Sequence, residues 1–353
     1  AEAGRGAAAR ARAGALHGPD ARRAEWLLAA YGDTAQDPEA AADALAELRS
    51  SMPSNWFTDT LAARIAERIG DEPGRQEAEA SILARGRSLL MRWRVLVLAE
   101  LALLVSGVAA LRAVVVHGAP ALAGAPLPAR WPVADGYGLF VRGACGFLLL
   151  AWLPGALLSG HDVVLSAGGF LAGAPALAWL AWYLGKHGES IVATFGLGVA
   201  RSRLGGLVAI TLALVALGTL GEALIGVAAS WLDFPSHWAD GLPEELLWKP
   251  WWLVAVDSVD TVLWTPLVEE AMFRGVGFAT LRRLLPVTPA ALASALIFAA
   301  AHGYGLAGFA SVMWSGILWA YAYQRTGSLW PAIIAHACNN LLVTATVVGL
   351  LRL

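Results

Sequence analysis

"GGLVAITLALVALGTLGEALIGVAAS", residues 205–230, is built almost wholly from Gly, Ala, Leu, Val, Ile and Thr. A helix needs ~20 apolar residues to cross a hydrocarbon core, so this stretch alone is long enough to span one. It is not an isolated case. Working outward, comparable segments fall at approximately 95–116, 137–158, 163–184, 251–275, 287–303, 306–323 and 329–350, which makes about eight in all. The 353-residue chain is 58% hydrophobic and 15% charged, with a mean hydropathy of +0.59, too apolar for an ordinary soluble domain. None of the segments alternates with period two, which excludes a barrel. The expected fold is therefore all-α: a polytopic membrane helical bundle of about eight spans. Trp131, Trp231, Trp238, Trp248, Trp251, Trp252 and Trp330 fall near segment ends, where an interfacial aromatic belt would place them.

Residues 1–90 differ from the rest, being rich in Ala, Arg and Glu with helical periodicity, and read as a soluble extension. Within it "SNWFTDTLAARIAERIG" puts Trp56 or Phe57, Leu61, Ile65 and Ile69 near one face of a helix, with Ser54 or Asn55 as N-cap and Gly70 as stop. Residues 1–18 are of low complexity and read as disordered. The organisation expected is thus a partly disordered helical extension over 1–90, early transmembrane helices over 91–204 and a functional transmembrane core over 205–353. The chain starts with Ala, and its first twenty residues hold no apolar stretch of signal-peptide type, so no signal peptide is expected.

Net charge is −2, with no long basic or acidic run, and nothing suggests a nucleic-acid partner. Cys145 and Cys338 are far apart and both lie in apolar stretches, against a disulfide framework or a cysteine zinc cluster. Arg85, Arg87, Arg92 and Arg94 before the first span argue for a cytoplasmic N-terminus by the positive-inside rule. Lys186, Arg201 and Arg203 argue the same for the loop after the third span, as do Arg282, Arg283 and Arg325 for later loops. Three spans cannot join two loops on one side, so either an early segment is re-entrant or the rule fails at one loop.

Three polar clusters interrupt the apolar C-terminal third. An ionisable side chain deep in a bilayer costs roughly 2.5–3.5 kcal/mol on insertion scales, which makes such clusters candidate functional sites. In "LVEEAMFRG", residues 267–275, Glu270 and Arg274 are four apart with the acid first, the favourable order for a helix ion pair. Glu269 lies ~100° round the helix from Glu270, so it points elsewhere and stays able to exchange a proton. The three could equally form a buried charge network that holds helices together. "FAAAH" places Phe298 and His302 on one face at a helix end, and "HACNN" places His336 and Asn340 on one face of the last span. Asparagine in a span also serves as interhelical glue. Together, a carboxylate, two imidazoles and an amide supply a general base, a proton shuttle or metal ligands, and an oxyanion donor. That set suits hydrolysis of an amide bond by an activated water. At 1.5 Å per residue His302 lies ~20 Å from its helix start and His336 ~10 Å from its own, which requires tilted or offset helices.

The ordered set EExxxR (Glu269, Glu270, Arg274), FxxxH (Phe298, His302) and HxxxN (His336, Asn340), each on a separate helix, resembles the CPBP family of intramembrane proteases, which includes CAAX prenyl endopeptidases and bacteriocin-processing proteins. The resemblance covers roughly residues 205–350. It implies a helical core around a conical cavity, with Glu269 as base, His302 as its partner, His336 and Asn340 on the oxyanion side, and Glu270 and Arg274 holding the geometry. The family has been described both as metal-dependent and as glutamate-type. If a metal is present, His302, His336 and Glu269 are the ligands to expect, leaving zinc one open position, yet there is no HExxH, and Glu269 as ligand would leave the base unassigned. The metal-free version is the one favoured.

The function expected is an intramembrane endopeptidase acting on a membrane-tethered or lipid-modified protein or peptide, set in a lipid bilayer that reads as a bacterial inner membrane, with a cytoplasmic extension that offers a surface for a protein partner. One alternative is a non-catalytic scaffold or immunity protein of the same fold. A proton-coupled transporter would call for repeats with broken helices in matching halves, and the polar groups crowd into one half only. "GYGLAG", residues 303–308, matches GxGxxG but follows an apolar helix rather than a strand. "EELLWK", residues 244–249, repeats the EExxxR spacing in a Pro- and Trp-rich loop and reads as a solvated turn. No GxSxG occurs, which removes a rhomboid-like serine nucleophile. Glu100, Arg112 and Arg142 in the early spans read as snorkelling or paired residues.

Overall fold

The structure, a computed structural model, describes residues 19–32, 37–118, 127, 129–157, 162–198, 203–234 and 248–352. The low-complexity stretch 1–18, Arg201, Trp238 and residues 244–247 of the EExxxR look-alike lie outside them. Among the described residues the regular structure is helical throughout, with no strand. In chain order the helices are α1 (Pro19–Tyr31), α2 (Pro38–Ser51), α3 (Trp56–Ile69), α4 (Glu72–His117), α5 (Val133–Leu157), α6 (Asp162–Lys186), the single turn α7 (Ile191–Thr194) and α8 (Leu204–Trp231). There follow α9, a composite of Trp251–Val259, Asp260–Trp264, Thr265–Glu269, Glu270–Phe278 and Ala279–Leu281, then α10 (Val287–His302), α11 (Leu306–Thr326) and α12 (Trp330–Val347), which continues as Val348–Arg352. Each apolar segment of the sequence lies on one of α4–α6 or α8–α12. By length and composition α4, α8 and the helix Trp330–Arg352 can each cross a membrane, and α10 is a shorter apolar helix.

Contacts divide the chain into two units. One combines residues up to Val97 with 245–248 and 345–353; the other combines 98–244 with 249–344. The first contains α1–α3 around Trp26, Leu45, Leu48, Leu61 and Ile65. Its third helix starts where the sequence places it: the Asn55 side chain accepts from the Thr58 amide while Thr58 Oγ1 accepts from the Asn55 amide, a reciprocal cap. It stops at Gly70, whose φ of 75° suits a residue without a Cβ. Trp248 belongs to this core as well, edge-on to Phe57 at 5.0 Å and 6.1 Å from Trp26.

In the second unit, small residues let the helices approach closely, the usual means of association in lipid. Ala290, Ala291, Ala295 and Ala299 of α10 are fully buried. The loops before α5, after α6, after α9 and before α12 gather at one end of this unit. The Ala129 amide donates to the Ala279 carbonyl, Arg283 to the Ala129 carbonyl at 2.8 Å, and the Leu329 amide to the Phe195 carbonyl at 3.1 Å. Arg130 faces Glu189 at 3.6 Å. The early segments α5 and α6 are each helices of 25 residues.

Two expectations are corrected. The aromatic belt is only partial: Trp231, Trp251 and Trp252 are exposed, but Trp131 is buried and donates to Thr280 Oγ1 at 2.9 Å, Trp330 donates to the Leu197 carbonyl at 2.8 Å, and Trp248 is a core residue of the other unit. Lys249 is not part of a solvated turn. It is buried and bonds Asp257 at 3.0 Å, since an ammonium at an apolar boundary gains more from a carboxylate than from an incomplete water shell.

Candidate active site

Two of the five pieces of α9, Asp260–Trp264 and Glu270–Phe278, are π-helical. Such turns widen a helix by an i→i+5 pattern and tend to occur at functional positions. Glu269 closes the α-helical turn and Glu270 opens the second π-segment, so the two carboxylates leave the helix at a change of winding.

Glu270 and Arg274 are both completely buried, and Arg274 Nη1 donates to Glu270 Oε1 at 3.0 Å. The guanidinium lies 4.1 Å from the Phe298 ring centre and 5.0 Å from that of Trp319, a favourable setting for a desolvated cation. Glu270 Oε1 also meets His336 Nδ1 at 3.0 Å. A carboxylate only accepts, so Nδ1 carries the hydrogen. The His336 ring is stacked on Trp319 at 4.4 Å and 19° and stands edge-on to Phe298 at 6.0 Å. Arg274, Glu270 and His336 thus form one buried array wrapped by Phe298 and Trp319.

Glu269 lies outside that array. Its Oε2 is 3.8 Å from His336 Nε2, beyond hydrogen-bond length, and has no hydrogen-bond partner. His302 Nδ1 bonds the Phe298 carbonyl one turn back at 2.8 Å; that carbonyl only accepts, so Nδ1 is the protonated nitrogen and neutral His302 presents a lone pair at Nε2. Asn340 donates one of its two amide hydrogens to the carbonyl of Thr261, in the first π-segment, at 2.8 Å. Glu269, His302, His336 and Asn340 all line one cavity of about 390 Å³, whereas Glu270 and Arg274 do not reach it.

The six residues singled out in the sequence therefore fall into two sets: four around a cavity, two behind its wall. The Glu269 carboxylate comes within 3.8 Å of the His336 imidazole and shares the cavity wall with His302. The helix offset required by the depths of the two histidines is present, with Phe298 level with His336 although it lies much further along its own helix. Among the described residues no three His, Cys, Asp or Glu side chains converge as a metal-ion site, and His302, His336 and Glu269 do not form a ligand set in this arrangement. Sequence reasoning missed Glu222 of α8, which lines the same cavity; the rule that flagged Glu269, an ionisable group in an apolar helix, applies to it equally. It also missed Trp319, for which an aromatic in a helix rich in aromatics gave no signal.

Residues 247–342 match the family described as Type II CAAX prenyl endopeptidase Rce1-like. No curated protein and no solved structure matches the chain. The matched segment runs from the residue before Trp248 to Leu342 and contains all six site residues, but neither α8 nor the helices α1–α3.

Proposed function

We propose that the chain, through its Rce1-like segment, is an intramembrane endopeptidase that hydrolyses a peptide bond of a membrane-tethered or lipid-modified protein. The observation that carries this is the cavity: an unbonded carboxylate, two imidazoles and an amide on three helices face one space inside an apolar bundle. Glu269 is the base. As a water oxygen bonds to the substrate carbonyl carbon, Glu269 takes the proton that the water sheds, with the Nε2 lone pair of His302 accepting the water's second hydrogen and fixing its orientation. The tetrahedral oxyanion receives the second amide hydrogen of Asn340, and His336 in its imidazolium form, with Nδ1 donating to Glu270, adds its Nε2 hydrogen. Collapse breaks the C–N bond, and the departing amine takes its proton from Glu269. Glu270 and Arg274 touch no substrate; they hold the His336 ring. No metal enters this scheme.

The test compares terminal peptides of membrane-associated proteins, by mass spectrometry, between cells carrying the wild-type chain and cells carrying Glu269→Gln at equal membrane abundance. A defined set of truncated termini disappears in the variant, since loss of a positioned base costs about 100-fold or more in rate. Identical peptide sets would overturn the reading and favour a non-catalytic scaffold.

A further inference from the structure

A second cavity, of about 430 Å³, lies where the loops before α5 and after α6 meet the last turns of α9 and α11. It is distinct from the catalytic space. Helix α11 lines that space with Gly308, Ser311, Val312 and Ser315, whereas Tyr323 in its last turn lines this one, about 12 Å beyond Ser315 along the axis. The volume is that of a small-molecule site. Its wall is mostly apolar, with Leu127, Ala129, Pro132, Leu184 and Ala279 beside the indole of Trp131. Most polar groups around it are already committed. Trp131 Nε1 donates to Thr280 Oγ1 at 2.9 Å, the Tyr183 hydroxyl to Asp135 Oδ2 at 2.7 Å, and His187 Nδ1 to the Tyr183 carbonyl at 2.8 Å. Arg130 and Glu189 stand 3.6 Å apart at the exposed edge, so their charges cancel. Two hydroxyls are left over. Tyr323 is 1% exposed and makes no hydrogen bond among the described residues, and Thr194 Oγ1 on the same wall has no partner either. A buried hydroxyl that has given up water and gained nothing in return calls for a partner.

The geometry points to this cavity as the binding site of an uncharged amphiphile: an apolar body seated against the indole and the aliphatic wall, with one hydroxyl or carbonyl oxygen that bonds the Tyr323 hydroxyl. A carboxylate or phosphate is disfavoured, because the one arginine on the described lining already faces Glu189 and a desolvated anion needs a cation of its own. A plain hydrocarbon fits the wall but leaves Tyr323 unbonded. The inference is independent of the endopeptidase reading, since it concerns binding at the other end of α11.

The experiment uses the full chain in lipid nanodiscs and three photoactivatable probes of equal length, decan-1-ol, decane and decanoate, each with a diazirine at mid-chain. Labelled residues are located by peptide mass spectrometry. Labelling of residues 127–132 and 183–194 is divided by that of the exposed Leu220 and Leu224 of α8, which corrects for partition into the bilayer. The decanol ratio is expected to exceed those of decane and decanoate about fivefold, and to fall to the decane value in Tyr323→Phe, which keeps the ring and removes the oxygen. Ala193→Trp, at an exposed position on the lining, is expected to lower labelling by decanol through filling the space, with the thermal melt unchanged. A decanol ratio equal to that of decane shows a space holding water or lipid tails only, and overturns the proposal. So does a decanoate ratio above that of decanol, or decanol labelling that Tyr323→Phe leaves unchanged. Competition identifies the source of the ligand: monodecanoylglycerol supplied in the bilayer, or hexan-1-ol supplied in water, displaces the probe, and displacement by neither also overturns the proposal.

Discussion

Arg274 is a charged group that the fold must hold without water. Its guanidinium is wholly buried, with one hydrogen bond to Glu270 and two aromatic faces in place of water. Replacing it by Ala strands the Glu270 carboxylate, and removing one partner of a buried pair costs about 3–5 kcal/mol. Arg274→Ala is therefore expected to lower unfolding stability in mild detergent by that order, while Arg274→Met with Glu270→Gln recovers part of the loss because no charge is left uncompensated. Gly316 of α11 makes room for this arginine: a Cβ there would stand 2.8 Å from Arg274 Nη2 and 3.0 Å from Ala295 Cβ. Gly316→Ala should cost about 1–3 kcal/mol by overpacking, and should reduce peptide cleavage if the array orients His336; a thermal melt and a cleavage assay on one preparation check both. At this scale the sequence was informative about Glu270 and Arg274, because i,i+4 spacing with the acid first specifies a contact within one helix. The bond from Glu270 to His336 joins residues 66 apart, and no local pattern encodes it. The same holds for Gly316, whose role depends on a side chain from another helix.

Long helices were the most legible elements, since hydropathy over ~20 residues leaves few alternatives. What hydropathy does not encode is where a helix changes winding. Reading α9 at ~100° per residue separates Glu269 from Glu270 correctly in direction, yet the two π-segments were invisible because they follow from how α9 meets its neighbours. Equally hidden was α7, one turn long, on which the start of α12 rests. The Phe195 carbonyl accepts from Leu329, and Gly196 sits against the backbone of Gly327 with φ of 61°. A Cβ at Gly196 would collide with the Gly327 carbonyl and occupy a left-handed conformation. Gly196→Ala is expected to destabilise the bundle by about 2–4 kcal/mol, combining backbone strain with overpacking. Because α12 carries His336 and Asn340, cleavage should fall by more than the loss of folded protein accounts for. An activity loss that merely matches the folded fraction would show that α7 supports the fold without setting the depth of α12.

For the molecule as a whole, contacts group the chain in a way that hydropathy does not. Trp248 stands next to Lys249 in sequence, but the indole completes the core of the N-terminal unit while the ammonium pairs with Asp257 of α9. A Trp at the edge of an apolar segment reads as a belt residue in sequence; its partners Trp26 and Phe57 lie about two hundred positions away and share no pattern with it. Each of the two neighbours thus has a separate function, and substitutions can separate them. Trp248→Ala leaves an aromatic-sized void beside Trp26 and Phe57, a loss of about 3 kcal/mol. Where cleavage follows the open population, that corresponds to about a 100-fold rise in the rate of limited proteolysis within residues 19–70. Lys249→Met instead removes the partner of Asp257, and should lower the melting temperature of the membrane unit while the proteolysis rate of 19–70 stays at the wild-type value. If Trp248→Ala left the protease sensitivity of 19–70 unchanged, the helices α1–α3 would have to be stable without the indole. The loop entering α9 would then contribute nothing to the N-terminal core.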